Sequence, residues 1–267
     1  MPELAEVEYF RRVWARAEGA CVVNVSAQME KRIFRAVEDV RFPEILIGSR
    51  FIRSERKGKQ LCFHFGRDYW LGLHMGMTGR TLYCRDPEAK HKYAYLILNL
   101  EKGARLIFQD PRLFGKVYFS SGQAIPDWWS RIPDELTSDQ FTLERMNAFL
   151  MRRSRSPIKT VLLMQECFPG VGNWMADEIL WRCRIAPIAL AGSIAQSECR
   201  ALYSSIRTVC NDALRVIADG WKKPPDDWLF NHRWKEGGIC PKTNRALVRE
   251  KINGRTACWS PDWQVYR

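Results

Sequence analysis

No run of about 18 consecutive apolar residues occurs in the chain, which excludes an ordinary membrane-spanning helix. Histidine is scarce: His64, His74, His91 and His232 stand at no metal-ligand spacing, and each alone reads as a structural or phosphate-contacting residue. The nine cysteines, at 21, 62, 84, 167, 183, 199, 210, 240 and 258, contain no Cys-x-x-Cys. Neither a disulfide framework nor a ready zinc site is expected from them. The opening MPELAEVEYF lacks the basic-then-apolar order of a signal peptide, so the cytosol is the expected compartment. Acid is the minority charge, with 30 Asp and Glu against 42 Lys and Arg. The net charge of +12 makes a polyanion the first partner to consider.

What is present describes a folded protein. The 267 residues are 46% hydrophobic and 12% aromatic, outside the range of disorder and ample for a sizeable core. Residues 1–131 hold 22 basic and 15 acidic side chains, residues 132–220 hold 10 of each, and residues 221–267 hold 10 against 5, so the positive excess sits at the two ends. In the neutral middle, Arg152, Arg153, Arg155 and Lys159 still crowd into a basic edge or a solvated face. Val7, Phe10, Trp14 and Ala17 fall at helical spacing, with Gly19 as a stop. Short aromatic or branched runs follow at Leu61–Phe65, Tyr93–Leu100, Arg105–Gln109 and Lys116–Phe119, and predict a sandwich or flattened barrel. From Thr142 the period changes, predicting helices over Leu143–Arg153, Ile158–Glu166, Trp174–Ile185 and Ser197–Ala218. The last has one apolar face of Leu202, Ile206, Val209, Ala213 and Ile217, and Gly220 closes it. Residues 221–267 are too few to bury a core alone and must dock or borrow a staple.

Several groups could carry chemistry. Removal of Met1, which a small second residue permits, makes Pro2 the terminus. An α-amino group titrates near ~8 where a lysine sits near ~10.4, so such an amine is partly uncharged and nucleophilic at neutral pH. Glu3 and Glu6 would lie in the first helical turn beside it, either as proton donors or as ordinary first-turn acids. Arg56-Lys57-Gly58-Lys59 reads as a basic turn between strands, either phosphate-facing or solvated. Leu73-His74-Met75-Gly76-Met77-Thr78-Gly79 and Asp110-Pro111-Arg112-Leu113-Phe114-Gly115 suit either duplex wedges or ordinary core. Phe168-Pro169-Gly170-Val171-Gly172-Asn173 breaks two helices and presents the second helix's N-terminus to an anion, or is a plain hairpin turn.

In their order along the chain these pieces resemble the formamidopyrimidine-DNA glycosylase and endonuclease VIII family. The likeness rests on residues 1–8, Lys57-Gly58-Lys59, Asp110–Gly115, and Pro157-Ile158-Lys159 through Asn173 to Ala176-Asp177-Glu178. It implies an α+β multidomain fold: a β-sandwich over 1–131 with a buried N-terminal helix, a helix-two-turn-helix domain over 132–220, and a β-hairpin finger over 221–267, with DNA held between the halves. It implies a bifunctional glycosylase and abasic-site lyase that extrudes a damaged nucleotide because the reacting carbon is inaccessible in the stack. Carried over, Pro2 attacks the sugar, Glu3 protonates sugar or leaving group, Glu6 supports the terminus, Lys59 contacts phosphate and donates a proton for β-elimination, and Arg255 assists δ-elimination. His91, Arg112, Lys159 and Asn173 grip the backbone, with His74 and Arg153 also on the DNA side. Met77, Arg112 and Phe114 fill the gap left by the extruded base.

Four departures from the family pattern stand out. The four zinc-binding cysteines of the family fall on Cys240, Thr243, Ser260 and Trp263, so a zincless finger with no metal or cofactor is expected. Trp234, Trp259, Trp263, Leu247 and Val248 could replace the metal by packing. Ala5 stands for a second proline, and Leu113 for a wedge-loop arginine. Residues 221–239 are short for a loop that caps oxidised guanine, which tilts the expectation toward oxidised pyrimidines or ring-opened purines. The partner would be double-stranded DNA with damaged bases or abasic sites, bound by a monomer without a membrane, in a bacterial nucleoid or a eukaryotic nucleus. A noncatalytic damaged-DNA-binding protein on this fold, or an RNA-binding one, is the alternative.

Overall fold

The structure, a computed structural model, describes residues 1–66 and 68–265. It divides into two compact units, Met1–Ile132 and Pro133–Arg267. In the first, helix α1 (Leu4–Ala15) is followed by β1 (Val22–Ala27), a short α2 (Phe42–Leu46), β2 (Phe51–Lys57), β3 (Gln60–Phe65), β4 (Tyr69–His74), β5 (Arg80–Cys84), β6 (Ala94–Leu100), β7 (Arg105–Gln109), β8 (Lys116–Ser121) and a short α3 (Asp127–Ser130). The strands make two four-stranded antiparallel sheets, ordered β1-β6-β7-β5 and β2-β3-β4-β8. Alternation decides which face is inside: Leu96, Leu98 and Leu100 of β6 are buried while the residues between them are less so. One apolar cluster draws on both sheets, with Phe51, Phe63, Phe65, Leu98 and Phe108 fully covered, so of the two expected forms the sandwich is the one adopted.

Helix α1 completes this core. Trp14 sits 4.6 Å from the Phe63 ring and donates its indole N–H to the Leu82 carbonyl of β5 at 3.1 Å. Thr81 of β5 donates to the Phe10 carbonyl at 2.7 Å, and Arg11 donates to the Ser54 hydroxyl of β2 at 2.7 Å. Strands β2 and β5 are edges of the two sheets, so α1 closes both edges at once. Burial of Leu4, Val7 and Trp14 is the reason the helix lies there, and its direction sends residues 1–3 toward the end of the sandwich where β2 finishes and β5 starts.

The second unit contains α4 (Leu143–Arg152), α5 (Ile158–Leu162), α6 (Asn173–Arg182), α7 (Gln196–Val216) and a two-stranded hairpin of β9 (Val248–Ile252) and β10 (Arg255–Trp259). The expected face of α7 is buried through Leu202, Ile206, Val209 and Ala213. Helix α5 is shorter than its pattern predicts, because Gln165 caps the following turn: its amide donates to the Leu163 and Val171 carbonyls and its oxygen accepts the Gly170 N–H. Helix α6 is covered on every side from Trp174 to Trp181, including two acids, Asp177 and Glu178. Glu178 answers to Arg182 at 2.9 Å and to the Phe230 N–H at 3.0 Å, and burial pushes its carboxyl above the usual range. No helix among the described residues is long and apolar enough to cross a membrane.

Candidate nucleic-acid interface and reaction centre

Glu3 is the N-cap of α1, and its backbone N–H donates to the Glu6 carboxylate at 3.1 Å. The two acids thus form a capping box that fixes the backbone on which Pro2 stands. Met1 is 53% exposed, open to removal. The neighbouring helical turn is tied to β2: Glu8 bonds Arg11 and Arg12 and lies 3.5 Å from Arg56. Burial would raise the Glu8 carboxyl, but hydrogen bonds from Arg11 and Arg12 and the charge of Arg56 hold it below its ordinary value. Moving from Ser54 to Arg56 along β2 moves from Arg11 back to Glu8 along α1, so the β2–β3 turn with Lys57 and Lys59 points toward the N-terminus. Gly58 takes φ +54° at that turn, which a side chain would resist.

Strand register gathers the remaining groups at the same end. Lys57 pairs with Gln60, Gln60 with His74 and His74 with Lys116, one row across four strands. Burial, with the charges of Lys59, Lys116 and Arg35, pulls His74 down to about 4 despite Asp110, so it is neutral. Its Nδ1 accepts the Gly76 N–H at 3.0 Å. Through this bond His74 shapes the Met77 loop. Gly76, at φ +59°, lies so close to the next loop that a Cβ would stand 2.5 Å from the Phe114 carbonyl carbon. Asp110, fully buried, joins the loops: it accepts the Thr78 hydroxyl at 2.7 Å and the Gly115 N–H at 2.6 Å. The result holds Met77 and Phe114 outward, 38% and 39% exposed, with the Arg112 guanidinium 4.8 Å over the Phe114 ring. Leu113, between them, has φ +56°, a strained value for a non-glycine residue. In the other sheet, Asp110 donates its N–H to the Tyr93 carbonyl, bringing the His91 segment alongside. The His91 Nε2 has no hydrogen-bond partner among the described residues.

In the second unit Asn173 opens α6 and its Oδ1 likewise lacks a partner among the described residues. Arg153 is bonded to Glu166 at 2.9 Å and leans on Phe149. Lys159 differs from expectation: it is fully buried with its Nζ on Asp177, so its side chain braces α5 against α6 and does not reach a phosphate. The arginines just before it conceal this in the sequence, since a lysine in a basic stretch reads as exposed. Arg255 starts β10, exposed beside the hairpin tip, and Asn253 at that tip donates to the Thr160 hydroxyl of α5 at 3.1 Å.

The finger's packing also departs from expectation. Leu247 and Trp263 join its apolar cluster, but Val248 is exposed and Trp234 is 55% exposed, stacked edge-on against Phe230. Trp181 of α6, Leu229, Cys240 and Cys258 take their place. The residues at the family's zinc positions do not fit the metal: they offer one thiol, two hydroxyls and an indole, and no three His, Cys, Asp or Glu gather into a metal-holding group among the described residues. Instead Trp181 Nε1 donates to Cys240 Sγ at 3.4 Å while Trp263 Nε1 donates to the Trp181 carbonyl at 2.9 Å. Burial would raise the Cys240 thiol, but hydrogen bonds from Thr243, Trp181 and the Lys242 backbone outweigh it and bring it to about 7.

Comparison with known proteins bears on these arrangements. Residues 1–117 match the formamidopyrimidine-DNA glycosylase N-terminal domain, and residues 132–224 match the formamidopyrimidine-DNA glycosylase H2TH domain. A formamidopyrimidine-DNA glycosylase of Pelotomaculum thermopropionicum is 32% identical over 99% of both chains. The Lactococcus lactis Fpg in complex with FAPY-dG-containing DNA superposes with a TM-score of 0.87 at 26% identity, covering 98% of this chain and 99% of that one. The same values hold for a complex of that protein with DNA containing an oxidised pyrimidine. The chain belongs to the formamidopyrimidine-DNA glycosylase family.

Proposed function

We propose that this chain is a bifunctional DNA glycosylase and abasic-site lyase of base-excision repair, carried by a catalytic sandwich over 1–131, a helix-two-turn-helix part over 132–220 and a zincless finger over 221–267. The observation that carries the reading is the placement of the α1 N-terminus: the capping box of Glu3 and Glu6 sits at the sandwich end toward which the Lys57–Lys59 turn points. After Met1 is removed, the Pro2 nitrogen attacks C1′ of the extruded nucleotide and the base leaves with a proton delivered by an acid, for which Glu3 is the candidate. The C1′–O4′ bond then breaks as O4′ takes a proton, leaving an iminium on Pro2; this cation loses a C2′ proton and the 3′ phosphate departs in β-elimination, with Lys59 as the proposed proton donor. Arg255 neutralises the second phosphate as it leaves in δ-elimination. Met77, Arg112 and Phe114 occupy the vacated stack, while His91, through its unsatisfied Nε2, and Asn173, through its amide N–H, donate to the backbone.

Oxidised pyrimidines or ring-opened purines are the proposed lesions. Supporting this, the segment over 221–239 is short and its residues 228–233 are tied to α6 through Phe230 and Arg233. The enzyme works where its DNA is, a bacterial nucleoid or a nucleus. Borohydride reduction with abasic-site DNA tests the reading: a covalent adduct is expected, and peptide mass spectrometry should map it to the Pro2 nitrogen. Tight binding without any adduct would leave a damaged-DNA-binding protein instead.

A further inference from the structure

Asp177 has no part in the chemistry above, yet it is among the most heavily hydrogen-bonded side chains of the second unit. It lies on α6, four residues beyond Asn173, and is fully buried. Its Oδ1 accepts Lys159 Nζ from α5. Its Oδ2 accepts Arg233 Nε at 3.1 Å and Nη2 at 2.5 Å, and also the backbone N–H of Cys258 on β10 at 3.1 Å. Both cations reach a second acceptor, the carbonyl of Asn173, at 3.3 Å and 3.5 Å. One carboxylate thus receives donors from α5, from the segment after α7 and from the hairpin, while its two cations hold the first residue of α6. Cys258 stands three residues past Arg255 on the same strand.

We propose that Asp177 is a positioning residue that locks the α6 N-terminus bearing Asn173 and the hairpin bearing Arg255 into one geometry, so that phosphate binding at the first and elimination chemistry at the second are set together. The roles given to Asn173 and Arg255 rest on the function proposed above. The charge balance separates positioning from a purely electrostatic role. Two cations against one anion leave the cluster positive, so loss of the carboxylate alone raises the positive charge behind Asn173. If field strength were what mattered, Asp177→Asn would bind DNA more tightly; if geometry matters, it binds more weakly.

Two buried cations without their anion destabilise a fold strongly, whereas apolar replacement of a whole buried ionic cluster is often tolerated. The test therefore uses Asp177→Asn together with the triple replacement Lys159→Met, Asp177→Leu and Arg233→Met in the full chain. Affinity is read on duplex bearing an uncleavable abasic analogue, and the ratio of β- to δ-elimination products on abasic DNA. The expected result is a folded triple variant with about tenfold weaker binding and products shifted toward β-elimination. Wild-type affinity and product ratio in the folded variant, or tighter binding by Asp177→Asn, would overturn the proposal.

Hydrogen exchange of the wild-type chain covers the case in which neither variant folds. The Cys258 amide should open with the same protection as the α6 amides, and exchange at the rate of the exposed hairpin tip would refute the lock. Absence of the borohydride adduct in the wild type would instead strike the proposed function and leave the exchange result standing.

Discussion

Replacing Asp110 with alanine tests whether the two wedge loops act as one object. The carboxylate accepts a hydroxyl from Thr78 and an amide N–H from Gly115, at 2.7 and 2.6 Å, in a fully buried site. Hydrogen bonds to a charged group contribute about 1.5–3 kcal/mol each, so Asp110→Ala should lose about 3–6 kcal/mol and leave the Gly115 amide without its acceptor. Asp110→Asn keeps the shape. Its one oxygen can accept from Gly115 while its amide donates to the Thr78 hydroxyl, so about half the loss is expected. Urea denaturation at neutral pH gives the stability difference from the midpoint and slope. Because Gly76 touches the Phe114 backbone, the same substitution should displace Met77 and Phe114 together. Affinity for abasic-analogue duplex should then fall by at least as much as in Phe114→Ala. A loss below about 1 kcal/mol for the alanine variant would show that the loops hold their shape without Asp110, and the reasoning would fail.

Three further outcomes follow from the same geometry. His74 has a folded value near 4 against 6.5 for the ordinary side chain. As pH falls from 6.5 toward 4 the unfolded chain takes the proton first, so stability present above 6.5 should decline by about 3 kcal/mol across that window. His74→Gln should flatten this decline in denaturation midpoints measured at pH 7 and 4.5, and an equally steep decline in the variant would count against it. Arg255→Ala should lower the slope of log affinity against log salt by about 1 in fluorescence anisotropy, as expected for loss of one phosphate contact. Protein purified in zinc-containing buffer should hold substoichiometric zinc by atomic emission and keep its melting temperature in chelator, whereas a chelator-induced drop would contradict the packing of Cys240 against Trp181.

The sequence was most informative where chemistry is encoded in short, ordered segments. The α1 periodicity, the strands β3, β6, β7 and β8, and the four family motifs could be read directly, because each depends on neighbours within a few residues. What escaped it is the choice of partners. Lys159 sits in a basic stretch and reads as a phosphate ligand, yet it is bound to a carboxylate 18 residues away, which is in turn reached by Arg233 and Cys258 from 56 and 81 residues away. No local pattern announces such a meeting, and a buried charge is legible only when its counter-charge is in view. The finger shows the same thing for apolar groups. Five residues were candidates to replace the metal by their composition, but cover is granted by α6, whose Trp181 reaches Cys240, so Trp263 is partly buried against it while Trp234 is left in the open. The groups proposed above to react lie on local motifs, and the residues that brace the segments carrying them do so by long-range contacts. Substitutions at Asp110 and Asp177 should therefore alter function without touching any group that meets DNA.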